Sequence, residues 1–295
     1  MGQTENTDSV AKDASANFID VEGLIAKKSP KLLKMLPKWL IRYLKRIVHQ
    51  DDLNGMIRRL GHLQDIEFVN ACLADMGISY TAQGLENLPA NGRFIFASNH
   101  PLGGLDGLIL LSEMQKHFPD IKFVVNDLLM NLDQLSGLFV PVNKHGGQNI
   151  DYVRRIENTY ASTAQVLYFP AGLCSRRIGT AIMDLEWKKS FVSKAIKHQR
   201  DIVPIFFEGR NSNFFYNLAR VRKFFGIKAN IEMLYLVDEM FRQKGKAINL
   251  IVGEPIPYTT FTKEKTPQDW ALFIRKKAYA LKNSGKKQQR FNDGV

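Results

Sequence analysis

The chain has 295 residues, 45% of them hydrophobic and 24% charged, with a net charge of +12 at pH 7. This length and apolar share are enough for one main domain with a sizeable core, and no apolar run approaches the roughly 18 residues needed to span a bilayer, which argues against a transmembrane helix. Two cysteines, Cys72 and Cys174, with no signal-peptide pattern argue against a disulfide scaffold and for a reducing compartment.

Residues 1–18 are polar and rich in Ser, Thr, Asn and Asp, which predicts a disordered tail. A helical, membrane-surface region is expected over 19–78, with helices near 31–48 and 64–76. In the first, Leu33, Leu36, Leu40, Leu44 and Ile47 recur at spacings of three and four, and Leu32, Ile41 and Val48 widen the stripe. Lys34, Lys38, Arg42, Lys45 and Arg46 mark its polar side, Trp39 and Tyr43 favour the headgroup zone, and Pro37 starts or kinks it. Such a helix suits the plane of an anionic membrane surface, or packs on the protein with its basic face in water; both readings stand. Charge distribution accords with the first: residues 27–60 carry +8 and 275–290 carry +7, whereas 61–274 carry only +2. No nucleic-acid reading module accompanies these charges, so no nucleic-acid partner is expected.

From 79 to 284 the pattern predicts an α/β domain: a largely parallel central sheet flanked by helices. Strand-length apolar runs at 93–98, 121–126, 138–143, 165–169, 202–207 and 249–254 alternate with helical stretches that include 149–163, 186–199 and 213–224. A further strand is expected near 230–236. Thr266, Pro267 and Asp269 form a helix start ahead of Trp270, Phe273, Ile274, Ala278 and Leu281, and a basic flexible tail is expected over 285–295.

The chemistry concentrates in Ser98-Asn99-His100-Pro101-Leu102-Gly103-Gly104-Leu105-Asp106-Gly107, where a strand gives way to a helix. His100 is a candidate general base and Asp106 its orienting acid; the plainer alternative is a polar residue at a strand end and a helix-start carboxylate. Lys144, Arg176 and Arg177 each follow a strand-like run, so they are expected at the same end of the sheet as His100, where open α/β sheets bind ligands. They are candidate anion-binding residues, with solvated surface charge as the alternative. His145 reads as loop polarity, and no metal-ligand cluster is expected.

These segments resemble the glycerolipid acyltransferase superfamily, which includes the lysophosphatidic acid acyltransferases. That family carries Asn-His, four residues, then Asp; Asn99-His100 is followed by five residues and Asp106, similar to the hemolysin-like, or lysophospholipid acyltransferase, branch. Gly137-Leu138-Phe139-Val140-Pro141-Val142-Asn143-Lys144 echoes a second block, with Asn143 and Lys144 in place of Asp and Arg. Phe169-Pro170-Ala171-Gly172-Leu173-Cys174-Ser175 echoes a third, with Ala171 for its glutamate and Cys174 for its arginine. Ile202-Val203-Pro204-Ile205-Phe206 matches a fourth.

The resemblance implies an O-acyltransferase that moves a fatty acyl group from an acyl carrier protein or coenzyme A thioester to the hydroxyl of a lysolipid, either a lysophospholipid or a lyso-aminolipid. It needs no further cofactor. Catalysis falls to His100 and Asp106, and substrate binding to Asn99, Asn143, Lys144, Gly172, Ser175, Arg176 and Arg177. Without a G-x-S-x-G nucleophile elbow, the acceptor hydroxyl is expected to attack directly. The enzyme is expected to be peripheral, on the cytoplasmic face of the cell membrane. A catalytically silent membrane-binding protein is the alternative.

Overall fold

The computed structural model describes residues 19–126, 129–130, 132–142 and 150–292, with side chains described as far as residue 282. The tail expected over 1–18, and Asn143, Lys144 and His145, lie outside the described residues. Two compact units are present, one ending at Gly61 and one beginning at His62.

The first unit contains α1 (Val21–Lys28), α2 (Pro30–Met35), α3 (Lys38–Ile47) and α4 (Gln50–Leu60). The single helix expected over 31–48 is broken. Leu36 precedes Pro37 and is extended, at φ −75° and ψ 128°, because the proline ring disfavours helical backbone in the residue before it. Asn54 exchanges two hydrogen bonds with the backbone of Ile19, both 2.8 Å, and Gln50 Oε1 accepts from Val21 N at 2.9 Å, tying α4 to the start of α1. On α3, Lys38, Trp39, Arg42 and Arg46 are exposed, and Lys45 pairs with Glu22.

The second unit runs α5 (Asp65–Asp75), β1 (Ser79–Gln83), β2 (Phe94–Ser98), α6 (Gly104–Gln115), β3 (Ile121–Asn126), β4 (Phe139–Val142), α7 (Ile150–Ala161) and β5 (Gln165–Tyr168). It continues through β6 (Arg176–Ile178), β7 (Ala181–Met183), α8 (Ser190–His198), β8 (Asp201–Glu208), α9 (Asn213–Phe224), α10 (Leu236–Phe241), β9 (Ala247–Val252) and α11 (Pro267–Asn292). The seven-stranded sheet has the order β1-β9-β8-β2-β5-β3-β4, and β6 and β7 form a separate hairpin. Every neighbouring pair in the large sheet is parallel except β8 and β9, so the domain is α/β with a mostly parallel sheet.

Central β2 is buried along its whole length, as a parallel strand covered on both faces must be. Its side chains alternate. Ile95 and Ala97 join the core with Trp187, Phe191, Trp270 and Ile274, whereas Phe94 and Phe96 pack on Phe118. Two expectations are corrected here. Residues Ile231–Tyr235 form a 3-10 helix instead of a strand, because buried Glu232 turns inward to two arginines. Helix α11 continues through Gly285 to Asn292, since one glycine costs a long helix only about 1 kcal/mol.

Candidate active site

Strand β2 delivers its last residues to an end of the sheet where β8 projects further. Asn99 exploits the difference: its Nδ2 donates to Phe207 O at 3.0 Å and its Oδ1 accepts from Phe207 N at 2.6 Å. Its amide therefore replaces a strand neighbour and pins the loop, which is a structural use of a residue read as substrate-binding.

His100 follows. Its N–H donates to Asp184 Oδ1 at 3.1 Å, and its carbonyl accepts from Ser175 N at 2.8 Å. The ring stacks on Phe169, with centroids 4.0 Å apart and an interplanar angle of 16°. Nδ1 lies 3.0 Å from Asp106 Oδ2, which also accepts from Leu102 N at 2.8 Å. Gly103 makes the connection possible: at φ +76° it turns the loop into α6, and a Cβ there would lie 3.4 Å from the Cys174 sulfur. Asp106 thus sits in the first helical turn, where the macrodipole favours a carboxylate.

Asp106 is fully buried, and its Oδ1 has no partner among the described residues. Burial raises its pKa, against the pull of His100 and the Leu102 N–H. At His100, burial disfavours the charged ring, but the adjacent Cys174 sulfur and Asp106 outweigh it and hold the pKa above the ordinary imidazole value. With Asp106 ionised, Nδ1 carries the hydrogen and Nε2 is left to accept a proton, which is the arrangement a general base requires.

Behind the histidine lies a support not legible in the sequence. Asp184, completely buried, accepts from Ser175 Oγ at 2.6 Å through Oδ1 and from Trp187 Nε1 at 2.9 Å through Oδ2. Its backbone is held by Tyr279 and Arg275 of α11. Burial raises its carboxyl pKa despite these donors. A solitary acid after a short apolar run carries no spacing signal, so only the fold reveals it. Ser175, read as substrate-binding, is committed to this carboxylate. Gly172, at φ +64°, turns the loop between β5 and β6.

The two adjacent arginines part ways, as alternation along a strand requires. Arg176 is buried: its Nη2 lies 3.2 Å from Glu232 Oε1, and its Nη1 donates to Cys174 O at 2.8 Å. The expectation that it binds an anion is corrected, because Arg222 Nε also pairs with Glu232, at 2.8 Å, and the three groups form a closed internal cluster. Arg177 remains half-buried, donating to Asn213 Oδ1 at 2.7 Å and Asn217 Oδ1 at 3.2 Å. Exposed Arg210 donates to the same Asn213 oxygen. Neither guanidinium has a carboxylate partner among the described residues. Next in sequence to Arg210, Asn211 is buried, at 2% exposure, with both amide atoms unpartnered among the described residues. Arg210 and Asn211 were missed from sequence although they follow the apolar run that becomes β8, because that run was read only as a strand; Gly209, just before them, packs against Leu102 of the histidine loop.

A cleft of about 570 Å³ lined by Gln83, Pro204, Val252, Phe273 and Leu281 lies at the other end of the sheet, where antiparallel β9 terminates, and contains none of these residues. No group of three or more His, Cys, Asp or Glu is placed to hold a metal among the described residues.

A family model described as acyltransferase matches residues 23–287. Over 270 residues the chain is 48% identical to a lyso-glycine lipid O-acyltransferase of Phocaeicola vulgatus, covering 91% of this chain and 97% of that one. It is 47% identical to a lyso-glycine lipid O-acyltransferase of Bacteroides thetaiotaomicron, covering 91% and 99%. Among solved structures it is similar to the 1-acyl-sn-glycerophosphate (LPA) acyltransferase PlsC of Thermotoga maritima, at 15% identity and a TM-score of 0.45, covering 84% of this chain and 92% of that one.

Proposed function

The chain belongs to the acyltransferase family and is an acyltransferase enzyme, and we propose that it transfers a fatty acyl group from an acyl carrier protein or coenzyme A thioester to the hydroxyl of a lyso-glycine lipid. Family membership sets aside the catalytically silent alternative. The observation that carries the chemistry is the 3.0 Å pairing of His100 Nδ1 with buried Asp106. The acceptor oxygen attacks the thioester carbonyl carbon as its proton passes to His100 Nε2. When the tetrahedral intermediate collapses, the C–S bond breaks and the departing sulfur takes that proton from the imidazolium. Asp106 stabilises the transient positive charge. No resident cofactor is invoked, because the thioester is a co-substrate.

A glycine-bearing lipid ends in a carboxylate if the glycine is joined through its nitrogen, and in an ammonium if joined through its carboxyl group. Arg177 and Arg210, cationic and without carboxylate partners among the described residues, favour the first, and the Asn211 amide, unpartnered among those residues, complements an acceptor amide. Lys144 is assigned to the same anion-binding role, with Asn143 beside it. The acceptor is a membrane lipid, and no helix among the described residues is long and apolar enough to cross a membrane. We read the enzyme as peripheral at the cytoplasmic face of the cell membrane, a reading supported by the exposed basic residues Lys38, Arg42 and Arg46 of α3, which suit anionic lipid.

Two experiments test this. Purified His100→Ala is expected to retain its fold and lose at least about a hundredfold in turnover, the scale of general-base catalysis; near-normal turnover overturns the mechanism. Arg210→Gln and Arg177→Gln are expected to raise KM for the carboxylate acceptor about tenfold or more, while KM for its methyl ester stays unchanged. Equal effects on both acceptors overturn the headgroup assignment and leave the base intact.

A further inference from the structure

Helix α9 has two apolar faces. One is spent on the core, where Phe215, Tyr216 and Ala219 are buried. On the other, Phe214, Leu218, Val221 and Phe225 recur at i, i+4, i+7 and i+11, the spacing of a helical stripe that ordinarily faces protein. Here it faces outward: Phe214 is 50% exposed, Val221 52% and Phe225 70%, and Phe224 beside them reaches 84%. Beyond the helix, Ile227 and Leu234 are exposed as well, at 44% and 47%.

An exposed aromatic cluster of this size requires an occupant. Charge selects it. Residues 209–231 include Arg210, Arg220, Arg222, Lys223 and Lys228 and not one acid. Arg220, Lys223 and Lys228 are exposed around the aromatic tip. The first carboxylate beyond, Glu232, is fully buried. The tip is also rigidly presented: Arg222 Nη1 donates to Ile227 O at 2.7 Å, closing the turn that Gly226 makes at φ +66°, and Phe224 and Phe225 meet edge to face at 5.3 Å.

We propose that the α9 tip inserts Phe224 and Phe225 into an anionic membrane surface, with Arg220, Lys223 and Lys228 on the lipid headgroups. Aromatic groups with a basic rim and no acid suit the boundary between headgroups and acyl chains. The inference rests on the peripheral reading above, but on a different element from α3. It places the lipid contact on the helix whose opposite end bears Asn213 and Asn217, the partners of Arg177, so the acceptor has a short path from bilayer to site.

Co-sedimentation with vesicles of phosphatidylglycerol and phosphatidylcholine, against phosphatidylcholine alone, decides it. Phe224→Ser/Phe225→Ser is expected to weaken binding about tenfold or more to anionic vesicles. Arg220→Gln/Lys223→Gln/Lys228→Gln is expected to weaken it about a hundredfold at low salt, roughly fivefold per charge, with no change on neutral vesicles. Both variants should keep wild-type circular dichroism and turnover on detergent-dispersed acceptor, since the altered side chains are exposed. If the full-length wild type ignores both vesicle types, the peripheral reading falls and this inference with it. If wild type binds and both variants bind equally well, the α9 assignment alone is overturned. Unchanged vesicle binding with loss of a dimer in sedimentation, or with a raised KM for an acyl carrier protein thioester, also overturns it in favour of a second copy or the carrier.

Discussion

At His100, burial works against the charged ring while the Cys174 sulfur and Asp106 work for it, and the balance lies above the ordinary imidazole value. A base must be neutral to act, so kcat/KM is expected to rise with pH through an inflection above about 6.5. Asp106→Asn removes a group that favours imidazolium. Its inflection should fall to lower pH and its plateau drop by about two to four powers of ten. Cys174→Ala should likewise lower the inflection but preserve the plateau, because direct attack by the acceptor gives the thiol no covalent role. Initial rates across pH 5 to 10 for the three proteins check both statements; loss of the Cys174→Ala plateau, together with a wild-type burst of released thiol, would indicate an acyl-cysteine. The His100 and Asp106 pairing was legible because only six positions separate them, from the loop after β2 to the first turn of α6. Arg176 was not, since its partner Glu232 is 56 positions away and adjacency to Arg177 suggested a shared role.

Elements divide along the same line between local and distant causes. The start of α11 was readable, and Thr266 and Asp269 cap one another: Asp269 N donates to Thr266 Oγ1 at 3.2 Å, and Thr266 Oγ1 donates to Asp269 Oδ2 at 2.7 Å. Thr266→Ala is expected to cost about 1 kcal/mol in urea unfolding, as lost caps do. Asn99 should matter more. Its replacement by alanine leaves the buried Phe207 N–H and carbonyl without their side-chain partner, costing about 2–4 kcal/mol and lowering turnover as the histidine loop loosens. The same unfolding curves, with activity measured on the folded fraction, check it. The apolar run at 230–236 misled because strand and short helix share such composition; Glu232, the residue that decided, reads as an interruption until its arginines are seen.

For the whole molecule, the alternation of strands and helices made a mostly parallel α/β sheet foreseeable, because each crossover leaves a local periodicity. The antiparallel return of β9, and β1 joining it at the sheet edge, were not, since direction and neighbour choice depend on contacts far apart in sequence. The buried cluster of Arg176, Glu232 and Arg222 has a consequence at this scale. It holds two guanidiniums against one carboxylate in the interior, an arrangement that well-packed apolar residues commonly match or exceed in stability. What the apolar version lacks is direction: Arg176 grips the carbonyls of Cys174 and Ser175, and Arg222 grips that of Ile227. Glu232→Gln alone should destabilise the fold by about 3–5 kcal/mol, leaving buried positive charge uncompensated. Replacing all three by Met, Leu and Leu should instead give a protein that melts no lower than wild type yet turns over acceptor more slowly. A calorimetric scan and a rate measurement on those two variants would separate the hardness of this fold from its aim.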